Sequence, residues 1–285
     1  MNLKREDFNC EKPKIIIFVS PREEARVYLG KINEILRSRG WQILQIVNVG
    51  DSIDKHLLSI CDFALVLGGD GTMLYASREV SKYGTPILGV NLGRVGLLTE
   101  LSPDEFLLSL EKIELGKYSI SEVLKIAART PKKCYQPALN EYTLMTSKPG
   151  KVVGLQIFVN EGFLTEVLCD GLIISTPVGS TSYALSAGGP IVSEYLKAMV
   201  IVPIAPLYRG MAPLVLPSNC IVKVKVKPGW ADAYVVADGQ VLDKIVASEH
   251  IEFTEAEEKA KFIRVQDPLN RVRKVVNITN LSYRG

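Results

Sequence analysis

Between residues 63 and 83 the apolar run Phe63-Ala64-Leu65-Val66-Leu67 meets Gly68-Gly69-Asp70-Gly71-Thr72, and then Leu74, Val80 and Tyr83 recur at roughly helical spacing. The order is strand, glycine-rich turn, helix. A helix N-terminus carries unpartnered N–H groups and partial positive charge, so it attracts phosphate. Glycines, lacking Cβ, let the backbone bend sharply and let a pyrophosphate approach. A carboxylate inside such a cradle is unexpected unless it handles a proton, a hydroxyl or a metal. The plain structural alternative is that Asp70 caps the helix.

The flanking chain extends this pattern. Lys14 to Val19, with three consecutive isoleucines, reads as a buried strand. Arg22 to Arg39 repeats apolar residues at helical spacing and stops at Gly40. Gln42 to Val47 is a second strand, Asp51 to Ile60 a weaker helix, and Thr85 to Val90 another strand, ending in Asn91-Leu92-Gly93-Arg94-Val95-Gly96. Ser102-Pro103-Asp104-Glu105 opens a helix to Leu115, with serine at the N-cap, proline at the first helical position and Glu105 at the capping-box position. Strands alternating with helices predict a doubly wound α/β domain with a mostly parallel sheet over residues 1–116. Ligands gather beyond the carboxyl ends of such strands, where Gly68–Thr72 and Asn91–Gly96 both lie.

After Gly116 the texture changes. Residues 119–129, 135–146, 152–159, 164–169, 172–175, 199–204, 221–227, 234–237, 251–254 and 262–265 read as strands without intervening helices. They predict an all-β domain, sandwich-like or an open barrel, over 117–266. Asn160-Glu161-Gly162 is a hairpin turn. The strict alternation of Ile221 to Lys227 puts lysines on a solvated sheet face rather than in a nucleic-acid stripe. The tail 267–285 is short, and its expected role is to pack back on the first domain.

Composition narrows the partners. A net charge of +3 with interspersed signs gives no basis for nucleic-acid binding. No apolar run approaches the roughly 18 residues of a membrane span. Five scattered cysteines without C-x-x-C spacing predict reduced thiols, a cytoplasmic setting and no cysteine-based metal site. With only His56 and His250 present, both in polar surroundings, proton handling is expected to fall to a carboxylate.

A second constellation runs from Asp170 to Pro190. A strand leads into Thr176-Pro177-Val178-Gly179, then Ser180, Thr181, Ser182 and Tyr183 crowd hydroxyls together before Gly188-Gly189-Pro190. Hydroxyls and exposed amides suit ribose and adenine edges, and Tyr183 offers a ring for stacking. Upstream, Asn140-Glu141 is a polar pair beside an apolar strand, either a turn or a chelator of vicinal ribose hydroxyls.

Together GGDGT at 68–72, Asn140-Glu141 and DGLIISTPVGSTSYALSAGGPI at 170–191 resemble the NAD kinase family, over most of the chain from Lys14 to about Gly239. GGDG alone is shared with diacylglycerol-type lipid kinases and 6-phosphofructokinases. The 170–191 stretch is far more specific. The resemblance implies an α/β domain followed by a β-sandwich, and phosphoryl transfer from ATP or polyphosphate to the adenosine 2′-hydroxyl of NAD. It further implies Asp70 as general base or orienter, with Gly68, Gly69, Gly71 and Thr72 on phosphate oxygens. Asn140, Glu141, Asp170, Thr181, Ser182, Tyr183 and Ser186 are then the NAD-binding residues. Mg²⁺ is expected to be held mainly by the nucleotide phosphates with no dedicated protein metal site, and the assembly to be a homo-oligomer, a dimer or tetramer. This chain departs from the family pattern at Val95 and Leu97, at Val178 and Ser182, and at Ala212, where the family often has arginine; Arg209 stands three positions earlier. The rival readings are a lipid kinase, which wants an apolar entrance, and a non-catalytic dinucleotide sensor, which could dispense with Asp70. Absence of G-x-x-x-x-G-K-[ST] disfavours a P-loop kinase.

Overall fold

Residues 15–19 and 63–68 are buried along their whole length, as parallel strands covered on both faces must be. A computed structural model of the chain describes residues 12–93, 96–267, 273, 274, 276 and 277. Its first elements are β1 (Lys14–Val19), α1 (Glu23–Ser38), β2 (Gln42–Asn48), α2 (Lys55–Ile60), β3 (Phe63–Gly68), α3 (Asp70–Val80), β4 (Ile87–Asn91), α4 (Pro103–Glu114) and β5 (Ser119–Val123). Then follow β6 (Ile126–Arg129), β7 (Cys134–Ala138), β8 (Glu141–Thr146), β9 (Val153–Val159), β10 (Gly162–Cys169), β11 (Gly171–Ser175) and α5 (Tyr183–Ser186). The chain continues through β12 (Ala198–Ile204), β13 (Leu214–Pro217), β14 (Val222–Val226), β15 (Ala233–Ala237), β16 (Gln240–Ile245), β17 (His250–Glu255) and β18 (Ala260–Arg264).

The first unit comprises residues 1–122 and 259–285. Its sheet runs β2-β1-β3-β4-β18-β5, and the pairs from β2 across to β18 are parallel. Because β1 is flanked by β2 and β3, the connections leave it in opposite directions, which opens a crevice at the carboxyl ends of β1 and β3. Ser102 caps α4 with the full reciprocal box predicted from Ser102-Pro103-Asp104-Glu105. The second unit, 123–258, packs β10-β9-β14-β17-β6-β7 on β13-β12-β11-β8-β15-β16 around one apolar core. These observations bear out the α/β-plus-sandwich reading. Asn160 and Glu161 both take positive φ, as a tight hairpin requires.

Several boundaries differ from the sequence reading. The division falls at 122/123 and again at 258/259, not at 116/117, because β5 and β18 complete the first sheet. Residues 119–129 and 135–146 are not single strands: each crosses between sheets at a corner, Leu124-Lys125 and Leu139-Asn140. Strands β13 and β16 and the short α5 are additional to the predicted elements. The predicted tail 267–285 lies mostly outside the described residues, although Lys274 Nζ donates to the Thr99 carbonyl at 3.3 Å. Among the described residues no helix is long and apolar enough to cross a membrane.

Candidate active site

In the first unit the glycine turn forms the step from β3 to α3. Gly69 is the N-cap and Asp70 the first helical residue, so the capping alternative for Asp70 does not hold. The Asp70 carboxylate instead reaches the loop after β4: Oδ2 accepts from Leu97 N–H at 3.0 Å and Oδ1 from Leu98 N–H at 2.8 Å. Two backbone donors fix the carboxylate's orientation and leave lone pairs on both oxygens free. The donors are main-chain, so Leu97 in place of the family's phenylalanine leaves this contact intact. Val95 lies outside the described residues.

The glycines of this turn separate into two kinds. A Cβ on Gly68 would stand 2.5 Å from Thr72 Oγ1 and 3.1 Å from Ser20 Cβ, so packing alone demands glycine there. Gly96, at φ +64°, would place a Cβ 2.4 Å from Asn91 Cγ. Gly69 and Gly71, by contrast, have negative φ or helical geometry and nothing within 4 Å of a Cβ. Glycine inside a helix's first turn, as at Gly71, costs stability relative to alanine, and the fold draws no packing return from it. Open backbone facing solvent at a helix N-terminus is what close approach by a phosphate needs.

Sequence reasoning passed over Arg22. It follows β1 at the same crevice, and its Nη1 lies 4.0 Å from the position a Gly93 Cβ would occupy, 3.8 Å from which lies Gly69 Cα. Among the described residues no carboxylate pairs with this exposed guanidinium. No spacing or glycine signal marks it.

In the second unit β8 and β11 lie side by side with Glu141 opposite Ser175. The Leu139–Glu141 corner is knitted to the turn after β11. Thr176 N–H and Ser175 Oγ donate to the Asn140 carbonyl, and Thr176 Oγ1 donates to that of Leu139 at 2.7 Å. A Cβ on Gly179 would stand 2.1 Å from the Asn140 carbonyl oxygen, so glycine is obligatory there. From the β15–β16 turn Asp238 accepts three main-chain N–H bonds, from Leu139 (2.9 Å), Asn140 (2.8 Å) and Glu141 (3.3 Å). Asp238-Gly239 is a hairpin signature immediately after the predicted strand 234–237.

The corner leaves two oxygens without partners: Asn140 Oδ1 and Glu141 Oε2 are buried and unpaired. Asn140 Nδ2 donates to Ser182 Oγ at 3.4 Å. Burial and, secondarily, the Asp238 charge push the Glu141 carboxyl up to about 8 despite a hydrogen bond from Ser182. Unsatisfied buried polar atoms are rare in folded proteins, and a pair at one corner marks a seat for a ligand carrying donors.

The structure brings Asn140, Glu141 and Ser182 together, with Tyr183, 40% exposed, opening the adjoining α5. Thr181 Oγ1 is turned back onto the Val178 carbonyl, and Ser186 is exposed on α5. Val178 is buried in the turn, Ala212 is exposed, and the Arg209 side chain lies outside the described residues. Asp170 is not part of the corner. It precedes Gly171, which pairs with Met145 at the far end of β8 from Glu141.

Residues 15–118 match the family model described as the ATP-NAD kinase N-terminal domain, and residues 139–265 that of the ATP-NAD kinase C-terminal domain. The chain is 37% identical over 215 residues to the NAD kinase of Methanothermobacter thermautotrophicus, covering 74% of each. To that of Syntrophotalea carbinolica it is 34% identical over 241 residues, 80% of this chain and 85% of the relative. The crystal structure of an NAD kinase from Archaeoglobus fulgidus in complex with ATP superposes with a TM-score of 0.75 at 28% identity, covering 92% of this chain and 99% of that one. Yeast NADH kinase complexed with NADH shares the fold, with a TM-score of 0.76 at 20% identity over 94% of this chain and 87% of that one. With both halves of the sequence matched by its models and relatives of this similarity, the chain belongs to the NAD kinase family.

Proposed function

We propose that the chain transfers a phosphoryl group from ATP to the adenosine 2′-hydroxyl of NAD, giving NADP. The observation that carries this reading is the Asp70 carboxylate, fixed by two main-chain N–H groups at the mouth of a glycine turn whose Gly69 and Gly71 backbone is open. Phosphoryl transfer passes through a loose transition state, so the protein chiefly positions the acceptor, offsets charge and steers one proton. Asp70 takes that proton as the bond from the hydroxyl oxygen to phosphorus forms. The turn 68–72 and Arg22 receive phosphate oxygens, and Asn140 and Glu141 hold the dinucleotide. Asp170, Thr181, Tyr183 and Ser186 are proposed as further nucleotide contacts on the resemblance of their motif.

Among the described residues no cluster of three or more His, Cys, Asp or Glu side chains could cage a metal. The chemistry of the turn fits Mg²⁺ arriving with the triphosphate, with Asp70 as the acidic residue there. Such an ion keeps several waters and neutralises phosphate charge. Assembly as a homodimer or homotetramer and a cytoplasmic setting complete the proposal. The latter is supported by Cys61, Cys134, Cys169 and Cys220 all being free. The lipid-kinase and sensor alternatives draw no support from the relatives named above.

The protein incubated with ATP, Mg²⁺ and NAD is expected to form NADP, measured by a dehydrogenase that accepts only the phosphorylated cofactor. A parallel arm with polyphosphate identifies the donor. No NADP from any donor would remove the reading. Gly71→Ala is expected to leave thermal stability unchanged or raised by up to about 1 kcal/mol, while the KM for ATP rises about tenfold or more, the equivalent of about 1.4 kcal/mol. Wild-type kinetics in this variant would show that no ligand approaches the turn.

A further inference from the structure

Asn140 Oδ1 and Glu141 Oε2 are both buried and both without a hydrogen-bond partner. An amide oxygen can only accept, and a carboxylate oxygen accepts best when ionised. Once Glu141 is ionised, the matching partner is a group with donors on neighbouring atoms, such as a vicinal diol. Main-chain geometry distinguishes the two carboxyl groups at this corner. Asp238 accepts from three backbone N–H groups, bonds that favour its ionised form. Glu141 has no such support. Among the described residues no Lys, Arg or His pairs with it.

The other groups around Glu141 do not compensate. Tyr142, next on β8, is pushed up by burial and by Asp238, and its hydroxyl donates to the Gln136 carbonyl at 2.5 Å. Tyr135 on β7 is up to about 12, by burial and its bond to Asp243. Asp243 on β16 is itself paired with Lys133. From β11 the facing residue is Ser175, whose hydroxyl is spent on the Asn140 and Thr176 carbonyls. Only Ser182 serves the pair directly. It accepts from Asn140 Nδ2, which leaves Asn140 Oδ1 without a partner, and it hydrogen-bonds the Glu141 carboxyl.

We propose that capture of the dinucleotide's diol at this corner expels a proton from Glu141, and that Ser182 is the positioning residue that sets how readily the proton leaves. This rests on the proposed function and deepens it. One O–H bond breaks and one bond to the proton forms: the Glu141 proton passes to the solvent buffer base as the diol hydroxyls become donors to the carboxylate. The sign follows directly. Ligand binds the ionised form better, so affinity rises with pH up to the free protein's midpoint, about 8, and is flat above it.

NAD binding to the intact protein, without ATP, is measured by titration calorimetry in Tris and in PIPES at one pH below the midpoint. The expected result is a heat that differs between buffers by the equivalent of nearly one proton released. Kd is expected to fall nearly tenfold per pH unit below the midpoint and then level. Ser182→Ala is expected to move the break to higher pH while the high-pH plateau persists, and Ser182→Thr to restore it. Glu141→Gln is expected to abolish both the buffer dependence and the pH dependence. Buffer-independent heat in the wild type, an unmoved break in Ser182→Ala, or a proton still released by Glu141→Gln overturns the inference. Those outcomes leave NADP formation intact, whereas a protein that neither binds NAD nor forms NADP fails the functional reading itself.

Discussion

Replacing Asp70 by asparagine is expected to lower kcat by about 10²- to 10⁴-fold, the usual contribution of a positioned general base, while the Kd for NAD stays within about twofold. The turnover loss follows from chemistry: an amide cannot take the proton that the 2′-hydroxyl sheds as phosphorus is attacked. A second, smaller effect follows from the hydrogen bonds. The carboxylate serves Leu97 N–H and Leu98 N–H with one oxygen each, whereas asparagine offers one acceptor and turns an amino group toward the other donor. Leaving a donor unsatisfied costs about 1–3 kcal/mol, so the transition of the first unit should fall as well. The two effects separate in measurement. Thermal unfolding reports the loop contact, and single-turnover NADP formation with saturating substrates reports the proton. Turnover equal to wild type in a folded Asn variant would strip Asp70 of its role.

How much of this was legible in the residues depends on where partners stand along the chain. β1 and β3 were plain because full burial on both faces leaves unbroken apolar runs, and α4 because its cap is closed by Ser102 and Glu105, three positions apart. The corner at 124–125 was not, because no glycine or proline punctuates it, and at 139–140 a turn was only one of two readings of Asn140-Glu141. At the first, the Lys125 ammonium is buried and satisfied by Glu258 at 2.5 Å, a partner 133 residues away. β18 joins the first sheet across a similar distance, beyond the reach of any local pattern. Asp70 shows the same limit within the site. Its glycine setting and its acidity are local and readable, but the donors that hold it are 27 and 28 positions downstream. The Glu141 seat was half visible. Asn140-Glu141 and the hydroxyl-rich turn announced themselves by composition, while Asp238, which fixes the corner from beneath, sits in a hairpin turn with no companion motif.

Asp238→Ala is expected to destabilise the second unit by about 3 kcal/mol or more, since the N–H groups of Leu139, Asn140 and Glu141 lose one common acceptor at about 1–3 kcal/mol for each buried donor left unpaired. Asp238 also holds φ +46°, a left-handed conformation that aspartate tolerates better than alanine. At about 2–4 °C per kcal/mol for a unit of this size, the melting temperature should drop by about 6–12 °C. The KM for NAD should rise at least about tenfold as the corner loosens, 1.4 kcal/mol being the threshold for that change. Asp238→Asn separates charge from scaffold. It keeps the side-chain volume, the turn preference and one acceptor, but removes the negative charge that helps hold a proton on Glu141. The pH at which NAD affinity levels off should therefore move down in Asp238→Asn and up in Ser182→Ala. Two substitutions on either side of one carboxyl group that shift its titration in opposite senses cannot be explained by general loosening, which would move both the same way. Shifts in a common direction, or none, would mean that Asp238 acts on the site only as a brace.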